Sequence, residues 1–83
     1  MIMNRQEIIE KLTSICMEVF ENDELELTDD MGVGSVDGWT SLTNMMLITE
    51  IEQTFGFKFK LRELPTLENI GSFITAIESH TQE

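Results

Sequence analysis

The sequence predicts an all-α fold, a small antiparallel bundle of three main helices plus one short helical turn. Three observations predict it. Apolar residues recur at three- and four-residue spacing in three separate segments. Helix-start and helix-stop residues bracket those segments. The 83 residues, 41% of them hydrophobic, suffice for one small core and leave no room for a second. A single domain over residues 1–83 is therefore expected.

Asn4 followed by Glu7 reads as a capping box, and Ile8, Leu12, Ile15, Cys16 and Val19 then form one apolar stripe. Helix 1 is expected at about residues 5–20. Residues 21–40 hold no helical period but carry glycines and a cluster of acids, a connection long enough to be functional or simply overhand. The period returns at Ser41 and runs to Phe55, where Gly56 supplies a left-handed stop; helix 2 is expected at 41–55. Residues 61–64, ahead of Pro65, allow one short turn. Thr66 reads as the cap of a last helix at about 67–79, carried by Leu67, Ile70, Phe73, Ile74 and Ile77, with the tail from His80 to Glu83 frayed. Residues 55–61 alternate as a strand would, and Glu24–Leu27 alternate with opposite charge. A lone two-stranded ribbon is marginal in water, so 57–60 read as extended loop.

Charge narrows the function. Sixteen acids against five bases give −11 at pH 7, which argues against nucleic acid or an anionic membrane surface as partner. One cysteine makes no internal disulfide. No apolar run approaches the roughly 18 residues of a membrane span, and the stretch from Met1 to Arg5 lacks a secretory apolar core. A soluble, cytoplasmic, monomeric protein is expected. CxxC, P-loop and HExxH patterns are absent from the sequence, so catalysis has little to work with.

Helix 2 is the informative element. On a wheel of about 100° per residue, Leu47, Ile48, Ile51 and Phe55 share one arc with Met45 at its edge, the predicted core face. Leu42 and Met46 fall instead beside Thr49, Glu50 and Gln53. They read either as residues the bundle buries anyway or as a docking spot next to Ser41. A serine at a helix start is most often only a cap, but free amides and the helix dipole there also favour an attached anion.

Residues 38–56, opening Gly38-Trp39-Thr40-Ser41-Leu42 and closing Phe55-Gly56, resemble the second-helix signature of acyl carrier proteins. In that family a serine, usually within Asp-Ser-Leu, begins the helix, and Phe-Gly ends it. Trp39 is similar to a subgroup whose motif reads Trp-Asp-Ser-Leu. The helix-1 stripe, the acidic first loop and a last helix opening Pro65-Thr66-Leu67 extend the resemblance over nearly the whole chain. It implies that Ser41 carries 4′-phosphopantetheine, added by a phosphopantetheinyl transferase, whose thiol holds an acyl or aminoacyl thioester for acyl-transferring or acyl-activating enzymes. It also implies a non-catalytic carrier whose partners dock at Thr40, Leu42, Met46 and Glu50. The alternative is an unmodified, carrier-like helical interaction module.

Two departures stand out. Position 40, usually aspartate, is Thr40, which still caps a helix but removes a charge. Met46 occupies a site that is often acidic. Residues 1–30 hold nine acids against two bases, whereas helix 2 has only Glu50 and Glu52, so docking is expected to be more apolar than ionic. The remaining candidates have plain readings. Cys16 is a buried hydrophobe, His80 a solvated tail residue rather than part of a Ser41–Asp37–His80 triad, and Met45 ordinary core. Trp39 packs under the first loop or flanks the prosthetic arm. Asp23, Asp29 and Asp30 fail the calcium-loop pattern, because Met31, Val33 and Thr40 stand where ligands belong. Ser35 lacks the leucine and helix that follow Ser41, and Gly71 permits close approach of a neighbouring helix. No metal site is expected.

Overall fold

The structure, a computed structural model, describes residues 3–82. The readings made on Met1, Ile2 and Glu83 fall outside them. Helix α1 spans Arg5–Val19. Asn4 accepts the Glu7 amide at 2.8 Å, and the Glu7 carboxylate accepts the Asn4 amide at 3.4 Å, so two donors at the helix start are satisfied reciprocally. The helix stops where Glu21 takes a φ of 53°, a conformation costly for a side chain, and the Asn22 amide reaches back to the Met17 carbonyl at 2.9 Å. Helix α2 spans Ser41–Phe55 and closes on Gly56 at φ 75°. A short 3₁₀ helix, Leu61–Thr66, follows, and α3 spans Ile70–Thr81. Both α2 and α3 pack on α1, which is the common wall of the bundle.

The last helix starts later than its apolar spacing suggests. Thr66 is not its cap: its hydroxyl donates to the Glu63 carbonyl at 2.6 Å and closes the 3₁₀ helix, which runs through Pro65. The cap is Asn69, whose side chain accepts the Ser72 amide at 2.8 Å. The start is fixed from outside, by the first loop. Gly32 forms an isolated antiparallel bridge with Asn69, the Met31 carbonyl accepts the Ile70 amide at 2.8 Å, and the Asp29 carbonyl accepts the Gly71 amide at 3.0 Å. These carbonyls satisfy donors that a helix start leaves unpaired. Leu67 still contributes to the core, from the connection between the 3₁₀ helix and α3. Gly71 meets Asp29 of this loop and not a helix, correcting the expectation made for it.

Residues 57–60 lie outside any helix, with Lys60 extended, and pair with no strand among the described residues. The Phe59 amide donates instead to Glu52 Oε2 at 2.8 Å. The tail is not frayed at His80, whose ring stacks on Phe57 with centroids 4.3 Å apart. His80 Nε2 lies 2.9 Å from Glu63, and Thr81 is buried with its hydroxyl bonded to the Ile77 carbonyl.

The core joins Ile8, Leu12 and Cys16 of α1 to Leu47 and Ile51 of α2 and Phe73 and Ile77 of α3. Met45 is not in it: 68% of its surface faces solvent, because α1 covers the arc through Leu47 and Ile51 and not its edge. Burial pushes the Cys16 thiol up to about 12. The thiol should therefore resist alkylation at about pH 8 in the native protein and react once urea unfolds it. Stability should fall from about pH 8.5 upward, since only the unfolded chain then gains by ionising the thiol. A Cβ on Gly32 would lie 2.5 Å from the Glu68 carbonyl oxygen. Gly32→Ala should lower the urea midpoint by an amount equivalent to about 1–3 kcal/mol, read by circular dichroism.

Candidate functional site

The junction between the first loop and α2 is built from four successive residues. Gly38 turns the chain at φ 87°, where a Cβ would sit 2.9 Å from the Phe20 carbonyl oxygen, so a side chain fails there twice over. Trp39 is 2% exposed. Its ring stacks on Phe20 at 5.0 Å and tilts against Phe73 at 6.4 Å, so it packs under the loop. Its amide donates to the Val36 carbonyl, its carbonyl accepts the Gly34 amide, and its indole Nε1 donates to Asn44 Oδ1 at 2.9 Å.

Thr40 then caps α2 from extended backbone. Its hydroxyl accepts the Thr43 amide at 3.2 Å, and Thr43 Oγ1 accepts the Thr40 amide at 2.8 Å while donating to the Gly38 carbonyl at 2.6 Å. This is a capping box made of two neutral hydroxyls. Ser41 is the first helical residue, exposed, and its hydroxyl has no hydrogen-bond partner among the described residues. The cap takes the Thr43 amide and the Thr40 carbonyl takes the Asn44 amide, which leaves the Ser41 and Leu42 amides outside the ladder. No acid stands in the first turn of α2 to offset the positive end of the helix.

Beside this junction lies an apolar surface. Leu42 is 72% exposed and Met46 49%, and the exposed Met45 joins them. With Val19 from the end of α1 they line an open groove of about 460 Å³, which Glu18 and Glu50 also border. Glu52, the other acid of α2, is spent on the Phe59 amide, so Glu50 is the free carboxylate of this helix face. Reading the sequence alone passed over Thr43 and Asn44. Threonine three residues after Thr40 was the available signal for the first. The place of Val19 and Glu18 depends on how α1 and α2 cross, which no local pattern encodes.

The other end of α2 is separate. His80 packs on Phe57, just past that end, about 20 Å along a 15-residue helix from Ser41. Its Nε2 faces Glu63, whose carboxyl is held below its usual range first by the Lys60 amide and then by His80. The Ser41–Asp37–His80 arrangement therefore does not form. Among the described residues no three His, Cys, Asp or Glu side chains converge on a metal-sized site, and no helix is long and apolar enough to cross a membrane.

No protein-family model matches this chain. Among curated proteins there is likewise no match. A solved structure does match: the solution NMR structure of the holo acyl carrier protein from Geobacter metallireducens. The two are 34% identical over 86% of this chain and 82% of that one, with a TM-score of 0.79. Identity at that level over most of both chains, on a bundle whose serine-led second helix was described above, makes this chain a member of the acyl carrier protein family.

Proposed function

We propose that residues 1–83 act as one carrier domain on which Ser41 bears 4′-phosphopantetheine through a phosphodiester. The thiol of that arm supplies the thioester to an acyl or aminoacyl group. The observation that carries this reading is the exposed, unengaged Ser41 hydroxyl at the first position of α2, in a chain 34% identical to a holo acyl carrier protein. The residues fit the group. The Ser41 and Leu42 amides and the uncompensated helix start favour the phosphodiester anion, and the neutral Thr40–Thr43 cap adds no charge to repel it.

In the loading step a P–O bond forms at Ser41 Oγ as the phosphoanhydride P–O bond of coenzyme A breaks and adenosine 3′,5′-bisphosphate leaves. The hydroxyl proton goes to a base of the phosphopantetheinyl transferase, since no carboxylate or imidazole among the described residues is bonded to Ser41. The chain itself is then a non-catalytic cytoplasmic monomer. The Trp39-Thr40-Ser41-Leu42 sequence supports placing it in the Trp-x-Ser-Leu subgroup.

Docking in this reading uses the Leu42–Met46 face, with Thr40 and Glu50 beside it. Three exposed apolar side chains, Leu42, Met45 and Met46, set against the two bordering carboxylates of Glu18 and Glu50 favour contact driven by burial over contact driven by charge.

Co-expression with a broad-specificity transferase should raise the intact mass by one phosphopantetheine, and Ser41→Ala should abolish the gain. An unmodified chain across several transferases would falsify the carrier reading and favour the interaction module. Loading should also depend weakly on salt, while Met46→Glu should raise the KM for the carrier about three- to tenfold. Loading that collapses at physiological ionic strength, with Met46→Glu neutral, would reverse that picture of docking.

A further inference from the structure

We infer that Asn44 and Trp39 are positioning residues for Ser41, acting through a single side-chain bridge that closes a ring of chain around it. The inference rests on the proposed attachment at Ser41. Trp39 precedes α2 and Asn44 lies inside its first turn; the indole Nε1 donates to Asn44 Oδ1 at 2.9 Å across the four residues between them. Ser41 belongs to that ring. The other side-chain bonds that shape the ring come from Thr40 and Thr43, and each of them is exposed.

Water competes for exposed hydrogen bonds, so the two hydroxyls hold helical geometry without holding it tightly. The indole bridge is half-buried, and its donor is on a ring 2% exposed that is clamped between Phe20 and Phe73. A bond in such a place is stronger and its donor hardly moves. It transmits the position of the core to the first turn of α2. Asn44 also donates its amide to the Thr40 carbonyl at 2.8 Å, so one residue locks the turn through both backbone and side chain. The Asn44 side chain has no other partner among the described hydrogen bonds, and this bridge is its evident role.

The orientation of Ser41 Oγ governs attack on phosphorus, and small misplacement of a reacting atom slows a step greatly. Of the docking face, Leu42 lies within the bridged ring but Met46 lies beyond it. Positioning and docking are thus separable: losing the bridge should lower kcat for loading and spare KM, while Met46→Glu acts on KM.

The test measures initial rates of loading of the full chain by a broad-specificity transferase with coenzyme A, across carrier concentrations. Asn44→Leu removes the acceptor. Trp39→Phe keeps an aromatic ring and removes the donor. Each should lower kcat about tenfold, leave KM within about twofold, and the double variant should be no slower than either single one. Asn44→Asp, which keeps an acceptor, should recover most of the rate. Unchanged kcat in both single variants, a change confined to KM, or multiplying effects in the double variant would overturn the inference. Should Asn44→Leu lose its helical circular dichroism, Trp39→Phe and Asn44→Asp carry the same expectations. A wild-type chain that takes up no phosphopantetheine overturns the attachment at Ser41 and this inference together. A wild-type chain that loads at the same kcat as its variants overturns the inference alone.

Discussion

The fold depends on the burial of one indole. Trp39 is held between Phe20 at the end of α1 and Phe73 in α3, and it pins down a connection that runs from residue 20 to residue 40. Losing a buried aromatic of this kind costs about 3–5 kcal/mol, against a total of roughly 4–12 kcal/mol for a chain this long. The same connection supplies the Met31 and Asp29 carbonyls that receive the first amides of α3. One aromatic stack therefore holds the loop, sets where α3 begins, and fixes the junction from which α2 starts. A domain without disulfide or metal among its described residues rests heavily on such a contact.

The first turn of α2 carries no acid, and Glu18 and Glu50 border the groove beside it. The net −11 is concentrated in α1 and the first loop, and the single arginine there, Arg5, meets Glu78 at 2.9 Å and Asp29 at 3.9 Å. Both contacts are largely exposed and contribute little stability. The cap at Ser41 is itself neutral. The cap is made of two threonines, Glu52 is turned to the Phe59 amide, and the face beyond presents Leu42, Met45 and Met46. The proposed site thus combines a helix start that favours an anion with an apolar surface that suits a partner of matching character.

Much of this was legible in the sequence, for definable reasons. Asn4 with Glu7, and Ser41 through Gly56, are local signals, and local hydrogen bonds fix those ends. Ile8, Leu12, Ile15 and Cys16 of the α1 stripe are buried as their spacing requires because both other helices pack on α1, while Val19 at its end is left partly open at the groove. What was not legible depends on contacts distant in sequence. The start of α3 is set by loop carbonyls some forty residues earlier, so Thr66 looked like a cap and Asn69 did not. Met45 lies on the edge of an arc whose width is decided by where α1 crosses. His80 is held by Phe57 and Glu63, which no helical period links to it. At the site, Ser41, Leu42 and Met46 could be singled out by position, whereas the Asn44 bridge needed the location of the Trp39 ring.

We propose Ser41, at a junction pinned by Trp39, as the point where this carrier takes up its cargo-bearing arm. The most direct measurement is a ¹H–¹⁵N correlation spectrum of the labelled chain before and after exposure to coenzyme A and a transferase. The account predicts shifts concentrated in residues 38–46, largest at the Ser41 and Leu42 amides, with the Trp39 indole resonance retained in its buried position. Spectra that stay identical, or shifts centred on Ser35, would contradict it.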